Sequence, residues 1–339
     1  MKVFNIKVRF KGSFNDCNMR IKGYQKIYFV RILWFSLLTS SVVFLGSCNR
    51  DKNERTQPVD TIRFFAFGDW GRDGMSNQKE LADAMEQLAS KREQDFILTL
   101  GDNFYPSGVG SVDDPQWKTS FEDIYRGSLL KPKWYAALGN HDYLSDPTAE
   151  IAYSIKSSRW RMPFYFYTVK FNMKDGGSLR MVVLDTSPFE KSYYADPTFK
   201  KKFVVDTLRQ KAWMDSVFSL KDSDWTIVTG HHPIYTGGAR INEFNSVRNS
   251  LLPIFTRYQL PVYFAGHEHD LQHLKPPDLP THQFVSGAGS ELRGTGTMSF
   301  TIFAASVQGF MSVELTRKVM SIYVINYKLD TLYHTQLLK

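Results

Sequence analysis

From residue 61 onward one pattern of apolar and polar positions recurs: a short β-prone apolar run stops at glycine, and a polar residue able to bind a ligand follows at once. The runs are residues 61–67 before Gly68-Asp69, 96–100 before Gly101-Asp102, 134–138 before Gly139-Asn140, 225–229 before Gly230-His231, and 262–265 before Gly266-His267. Between them lie helical stretches, such as residues 77–93, where Leu81, Met85 and Leu88 recur at helical spacing, and residues 204–220. Strands alternating with helices predict an α/β domain with a largely parallel sheet. In such sheets ligands gather beyond the carboxyl ends of the strands, so the five polar clusters are expected to converge. Residues 310–315, 319–327 and 331–337 are β-prone runs separated by short polar turns, which predicts antiparallel strands. These are expected to form a second sheet packed on the first, with one domain throughout.

Composition supports a buried core: 42% of the 339 residues are hydrophobic and 15% aromatic, so the chain is globular. A net charge of +8 suggests a polyanion or membrane-surface binder until the basic residues are located. Eight of the 42 Lys and Arg residues, but only one of the 34 acids, fall within residues 1–47, and the remaining 34 bases and 33 acids nearly cancel. No nucleic-acid partner is expected. The tract Lys200-Lys201-Lys202 reads as a solvated approach to a helix, with contact to an anionic surface as its functional alternative.

The front segment has the order of an export signal: Arg20, Lys22, Lys26 and Arg31 precede a mainly apolar stretch of residues 32–45, followed by small residues and Cys48. The stretch is too short and serine-rich for a membrane span. The run Leu45-Gly46-Ser47-Cys48 resembles the bacterial lipobox, in which cleavage precedes the cysteine and the cysteine receives lipid. The plainer reading of Cys48 is a small residue at the end of an uncleaved anchor. Met19 begins a signal of ordinary length, leaving open whether translation starts there or at Met1. Residues 1–47 are thus an extension and lipoprotein-type signal, residues 48–60 a polar tether, and residues 61–339 the folded body. The expected location is the bacterial periplasm or cell envelope, at the membrane through a lipid on Cys48. Cys17 would be lost with the signal, so no internal disulfide is expected.

A glycine before each polar residue permits a sharp turn and a close approach to a ligand. One Gly-Asp junction is ordinary loop punctuation; five junctions that, with His269 two residues beyond the last, offer two Asp, one Asn and three His are not. Carboxylate and amide oxygens with imidazole nitrogens suit hard or borderline cations, and two cysteines exclude an all-thiolate site. Tyr105, three residues after Asp102, can bring a phenolate to the same cation, which favours ferric iron; its plain alternative is a loop tyrosine packed beside Phe104.

The blocks Gly68-Asp69-Trp70-Gly71, Gly101-Asp102-Asn103-Phe104-Tyr105, Gly139-Asn140-His141-Asp142, Gly230-His231-His232-Pro233 and Gly266-His267-Glu268-His269 together resemble the purple acid phosphatases, most closely the small tartrate-resistant type within the calcineurin-like metallophosphoesterases. The resemblance covers roughly residues 61–338, including Trp213, the Ser286-Gly287-Ala288-Gly289 run and Gly309-Phe310. It implies two packed mixed β-sheets flanked by helices in a four-layer sandwich. It assigns Asp69, Tyr105 and His269 to Fe3+, and Asn140, His231 and His267 to a divalent ion (Fe2+, Zn2+ or Mn2+), with Asp102 bridging. It places His141 beside the bound phosphate as proton donor. Asp142 has two readings, a partner that orients His141 or a carboxylate that caps the loop. Where the small mammalian-type enzymes carry a second histidine, this chain has Arg240, which can bind phosphate with Asn140 and His141 but cannot donate a proton near neutral pH. That leaves the acid role to His141 or His232.

The implied reaction is hydrolysis of phosphate monoesters by hydroxide held at two cations, whose coordination lowers the pKa of water from 15.7 toward about 7. One rival keeps the fold and takes diesters of nucleotides or lipid headgroups; another is a catalytically inactive lipid-anchored binding protein.

Overall fold

The computed structural model describes residues 60–339 apart from Val205 and Phe244. The export segment, Cys48 and the tether up to residue 59 lie outside the described residues. One seven-stranded sheet takes β1 (Ile62–Phe67), β2 (Phe96–Thr99), β3 (Lys133–Ala136) and β4 (Trp160–Arg161) from the front of the fold, and β12 (Gly309–Leu315), β13 (Val319–Asn326) and β14 (Thr331–Leu338) from its end. Strands β1 to β4 run parallel, and β12 joins the free edge of β1 in antiparallel register, Ile62 opposite Leu315. The second sheet holds β5 (Tyr167–Asn172), β6 (Ser178–Val183), β7 (Trp225–Thr229), β8 (Val262–Ala265), β9 (Leu271–Leu274), β10 (His282–Ser286) and β11 (Thr301–Ala305), with β6, β7, β8 and β10 parallel.

Two mixed sheets with flanking helices are therefore present, but their membership differs from the expected partition. The C-terminal strands extend the sheet of β1 instead of forming a sheet of their own, and the five ligand-bearing strands divide three and two. The reason is edge pairing: β1 heads a parallel row whose outer edge would otherwise expose unpaired backbone groups. Strand β14 closes the far side with an alternating, largely polar pattern suited to an edge.

The central strands are buried on both faces, as in Phe-Ile-Leu-Thr of β2 and Val-Tyr-Phe-Ala of β8, because each sheet faces the other on one side and helices on the other. Phe64 stacks on Phe96 at 4.7 Å within its sheet and meets Phe264 of the other edge-on at 6.0 Å, while Phe96 stacks on Phe171 at 4.5 Å. The helices are α1 (Gln78–Ala89), α2 (Pro147–Lys156), α3 (Pro197–Lys200), α4 (Thr207–Phe218) and α5 (Asn245–Tyr258). Helix α1 buries Leu81 and Met85 as read from the sequence, while Leu88 is half-buried and Ala89 takes the next buried place. Asp146 caps α2 by accepting from the Thr148 amide, with Pro147 in the first turn, and Asp206 caps α4 through the Leu208 amide.

Beneath the first ligand loops lies a floor of aromatic rings. Trp70 touches Phe67, Phe104, Phe121, Tyr125, Trp134 and Trp160, with ring centroids 5.4 to 6.5 Å apart. These rings bury the residues between ligands, and the adjacent Asp69, Asp102 and Tyr105 are left to turn the other way.

Candidate metal centre

Every one of the five glycine junctions opens onto the same rim. Asp69 follows β1, Asp102 and Tyr105 follow β2, and Asn140 follows β3, all in the first sheet. His231 follows β7, and His267 and His269 follow β8, in the second. The loops are hydrogen-bonded across the sheets: the Gly68 amide donates to the Ser286 carbonyl at 2.8 Å and the His267 amide to Asp69 Oδ2 at 2.9 Å. Gly139 shows why no side chain is tolerated at a junction: a Cβ there would lie 2.2 Å from Asp102 Oδ1.

The seven side chains form two sets that share Asp102. In the first, Tyr105 Oη lies 3.0 Å from Asp69 Oδ1, 3.0 Å from Asp102 Oδ2 and 3.2 Å from His269 Nε2, and His269 Nε2 is 3.4 Å from Asp69 Oδ1. In the second, His231 Nε2 lies 3.3 Å from Asp102 Oδ2, 3.2 Å from Asn140 Oδ1 and 2.9 Å from His267 Nδ1. A cation bound at roughly 2.0–2.2 Å sets neighbouring donor atoms roughly 2.8–3.6 Å apart, and these separations fall in that range.

Protons alone do not satisfy the arrangement. A phenol has one hydrogen, so Tyr105 can donate to one carboxylate and must face the other with a lone pair. His231 Nδ1 lies 2.9 Å from the Leu100 carbonyl and donates to it, so Nε2 is the atom that faces Asp102 Oδ2 and Asn140 Oδ1. Asp69, Asp102, Tyr105, His231, His267 and His269 are all buried. Burial, and then the charges of Asp102 and Asp69, hold the Tyr105 phenol well above its ordinary range. Burial pushes Asp102 upward too, but His231 and His141 outweigh it and hold the carboxyl below its ordinary range. Buried acceptors crowded around two points are what a pair of cations requires.

Three of these residues carry a left-handed backbone: Asp69 (φ 60°), Asp102 (φ 47°) and His267 (φ 69°). The strain of the turns thus rests on ligands as well as on glycine, at about 1–3 kcal/mol each.

The remaining sequence-predicted residues divide. His141 donates its backbone amide to Asp102 Oδ1 at 2.7 Å; its ring Nδ1 pairs with the Pro106 carbonyl at 2.6 Å, and Nε2 faces the centre 4.0 Å from Asp102 Oδ2. Asp142 does not orient that ring. Its carboxylate accepts from the amides of Gly139 (2.7 Å), Asn103 (2.9 Å) and Phe104 (3.3 Å), tying the third ligand loop to the second, and Asn103 Nδ2 bridges it to the buried Glu150. The loop-capping reading is the correct one. His232 adjoins His231 and His267, one of its ring nitrogens within 4.8 Å of theirs, but both nitrogens are engaged: Nδ1 meets Thr186 Oγ1 at 2.8 Å, Nε2 meets Tyr193 Oη at 2.9 Å, and burial keeps the ring neutral. Arg240 stands at the rim with Nη1 against His267 Nε2. An arginine only donates, so in this pose the His267 proton sits on Nδ1, and a cation at Nδ1 requires the guanidinium to swing off the ring.

Two arginines beside the site escaped the sequence reading. Arg72 lies 3.7 Å above the centre of the Tyr105 ring and pairs with Glu291 at 2.8 Å, and Arg293 Nη1 donates to the His267 carbonyl at 3.0 Å. Arg72 directly follows the first block, which was its one available signal.

A family profile described as calcineurin-like phosphoesterase matches residues 62–271. The chain belongs to the calcineurin-like phosphoesterase family. Among curated relatives of this calcineurin-like phosphoesterase, the pig (Sus scrofa) tartrate-resistant acid phosphatase type 5 is 32% identical, the match covering 89% of this chain and 94% of the relative. Purple acid phosphatase 4 of Arabidopsis thaliana is also 32% identical, over 78% and 80% respectively. The fold is shared with the solved purple acid phosphatase PPD1 of yellow lupin (Lupinus luteus), at TM-score 0.63 and 14% identity, covering 83% of this chain and 54% of that one. It is shared as well with GAP50 of Plasmodium, an anchor in the inner membrane complex, at TM-score 0.71 and 23% identity over 82% and 89%. The chain is a hydrolase of the purple acid phosphatase kind, a phosphoesterase with a dinuclear metal site.

Each half of the candidate centre gathers side chains from both sheets, so occupancy is expected to tie the sheets together. A cation present at 100 times its Kd adds about 2.7 kcal/mol of stability. Prolonged chelation should therefore lower the calorimetric Tm by at least roughly 5 °C. An unchanged Tm, with metal loss verified by elemental analysis, would contradict this coupling.

Proposed function

We propose that this phosphoesterase hydrolyses phosphate monoesters with Fe3+ held by Asp69, Tyr105 and His269, a divalent Fe2+, Zn2+ or Mn2+ held by Asn140, His231 and His267, and Asp102 between them. The observation that carries the proposal is the Tyr105 phenol oxygen set among Asp69, Asp102 and His269 at 3.0 to 3.2 Å. Two bound cations would supply Lewis-acid polarisation of the phosphate and a nucleophile drawn from water near neutral pH.

The residues of the chain do the rest. The His141 Nδ1–H donates a hydrogen bond to the Pro106 carbonyl, which leaves Nε2 as the atom that carries a second proton toward the leaving ester oxygen. Arg240, once off His267, has a planar fork for two phosphate oxygens. The neutral His232 ring stays behind His231 and His267, in contact with both, and limits their movement. Asp142 holds the two loops that bear Asp102 and His141 in register, so the donor and the phosphate site move as one.

The same proposal puts the protein outside the cytoplasm, in the periplasm or cell envelope, with a lipid on Cys48. Its support is the sequence order of bases, apolar stretch, small residues and cysteine.

Three outcomes are expected. His141→Ala should lower kcat on p-nitrophenyl phosphate by roughly 100-fold or more with metal content unchanged; near-wild-type turnover would remove His141 from the mechanism, and faster turnover of bis(p-nitrophenyl) phosphate by the wild type would replace the monoester reading. The iron-loaded protein should show a broad visible absorption band that Tyr105→Phe abolishes; a colourless iron-loaded wild type would remove the phenolate ligand. Mass spectrometry of protein from bacterial membranes should find a mature N-terminus at lipidated Cys48, and an intact residue 1–47 segment there would replace the lipid anchor by an uncleaved one.

A further inference from the structure

A cavity of about 370 Å³ lies between the turn of residues 190–193 and the start of α5. That is near the lower end of ligand-pocket size, enough for one small molecule. Its wall adjoins the metal rim through two contacts. Tyr193, which lines it, bonds His232 at 2.9 Å, and the His232 ring packs 4.6 Å from that of His267. Glu243, also in the lining, lies 3.8 Å from Arg240 Nε. An alcohol esterified to a phosphate at the rim therefore has this cavity within reach.

Every lining residue carries a polar group on a short carbon stem, and the Tyr193 ring is the largest apolar surface among them. Its two carboxylates are already engaged. Glu190 is buried, with Oε1 accepting from the Ser192 amide at 3.1 Å and Oε2 from the Ser246 hydroxyl at 2.7 Å, a brace between the two walls. Glu243 is turned to Arg240. Asn242 and the Ser192 hydroxyl have no hydrogen bond among the described residues, and Asn245 uses its oxygen on Arg248 and keeps its amide N–H groups.

Free amides and hydroxyls recognise hydroxyl groups, since each side can donate and accept. A phosphorylated or carboxylated leaving group would meet Glu190 and Glu243. A cationic one would find their charge committed elsewhere. An aryl or alkyl one would leave the amides dry and unpaired.

We propose that this cavity is the leaving-group pocket, and that it selects esters of uncharged polyhydroxylated alcohols, a sugar or polyol phosphate. The inference rests on the phosphatase reading above and names its substrate class. In a panel of a hexose 6-phosphate, p-nitrophenyl phosphate, 3-phosphoglycerate and phosphocholine, the metal-loaded full chain should give the highest kcat/KM on the hexose phosphate. The double variant Asn242→Ala/Asn245→Ala should lower the ratio of hexose phosphate to p-nitrophenyl phosphate kcat/KM about tenfold, mainly through KM. A readout without turnover comes from free hexose and the full chain in saturation-transfer NMR, where the ring protons should gain signal that the double variant loses. Turnover of p-nitrophenyl phosphate with preference for 3-phosphoglycerate or phosphocholine overturns the inference alone, as does an unchanged ratio in the variant. A metal-replete chain that hydrolyses none of the four esters overturns the phosphatase reading, and the pocket assignment with it.

Discussion

The constraint on which the rest depends is the crowding of buried acceptors around Asp102. Its Oδ2 stands 3.0 Å from the Tyr105 oxygen and 3.3 Å from the His231 nitrogen, in a region closed to water. In a low-dielectric setting such a cluster repels itself unless positive charge enters. Much of the architecture serves to hold it in place. Aromatic rings pack under Trp70, the Asp142 carboxylate clamps backbone amides of two loops, and inter-sheet hydrogen bonds link the Gly68 and His267 turns to their neighbours.

Much of this was legible in the sequence because the ligands stand immediately beyond strand ends. A short apolar run, a glycine and a polar residue form a local signal, and strand direction then carries each side chain to the same rim. The allocation of strands to sheets was not local. Strand β1 pairs with β12, whose residues follow some 250 positions later, and no nearby residue announces that partner. The hairpin of β5 and β6 around Asp175-Gly176-Gly177 contributes no ligand, so it drew no notice beside the blocks that do.

The two corrected residues share a physical cause. His232 packs beside His231 and His267, with both of its ring nitrogens taken by the Thr186 and Tyr193 hydroxyls, partners 46 and 39 positions away that the block Gly230-His231-His232-Pro233 does not reveal. Asp142 is close enough in sequence to reach either the His141 ring or the loop amides, and the distinction needed coordinates: three N–H groups converge on one carboxylate, which outweighs one imidazole that already has the Pro106 carbonyl. Arg72 was hidden for the same reason, since stacking over a ring 33 positions away leaves no periodic trace.

The left-handed backbone at Asp69, Asp102 and His267 bears on how such proteins diverge. Aspartate, asparagine and histidine enter that conformation more readily than other side chains, whereas β-branched residues are nearly barred from it. Evolutionary drift at Asp69 and Asp102 is thereby channelled toward asparagine or glycine, changes that erase charge while sparing the turn. A descendant could forfeit chemistry in a few codons and still fold, leaving an inert sandwich free for adhesive or architectural duty.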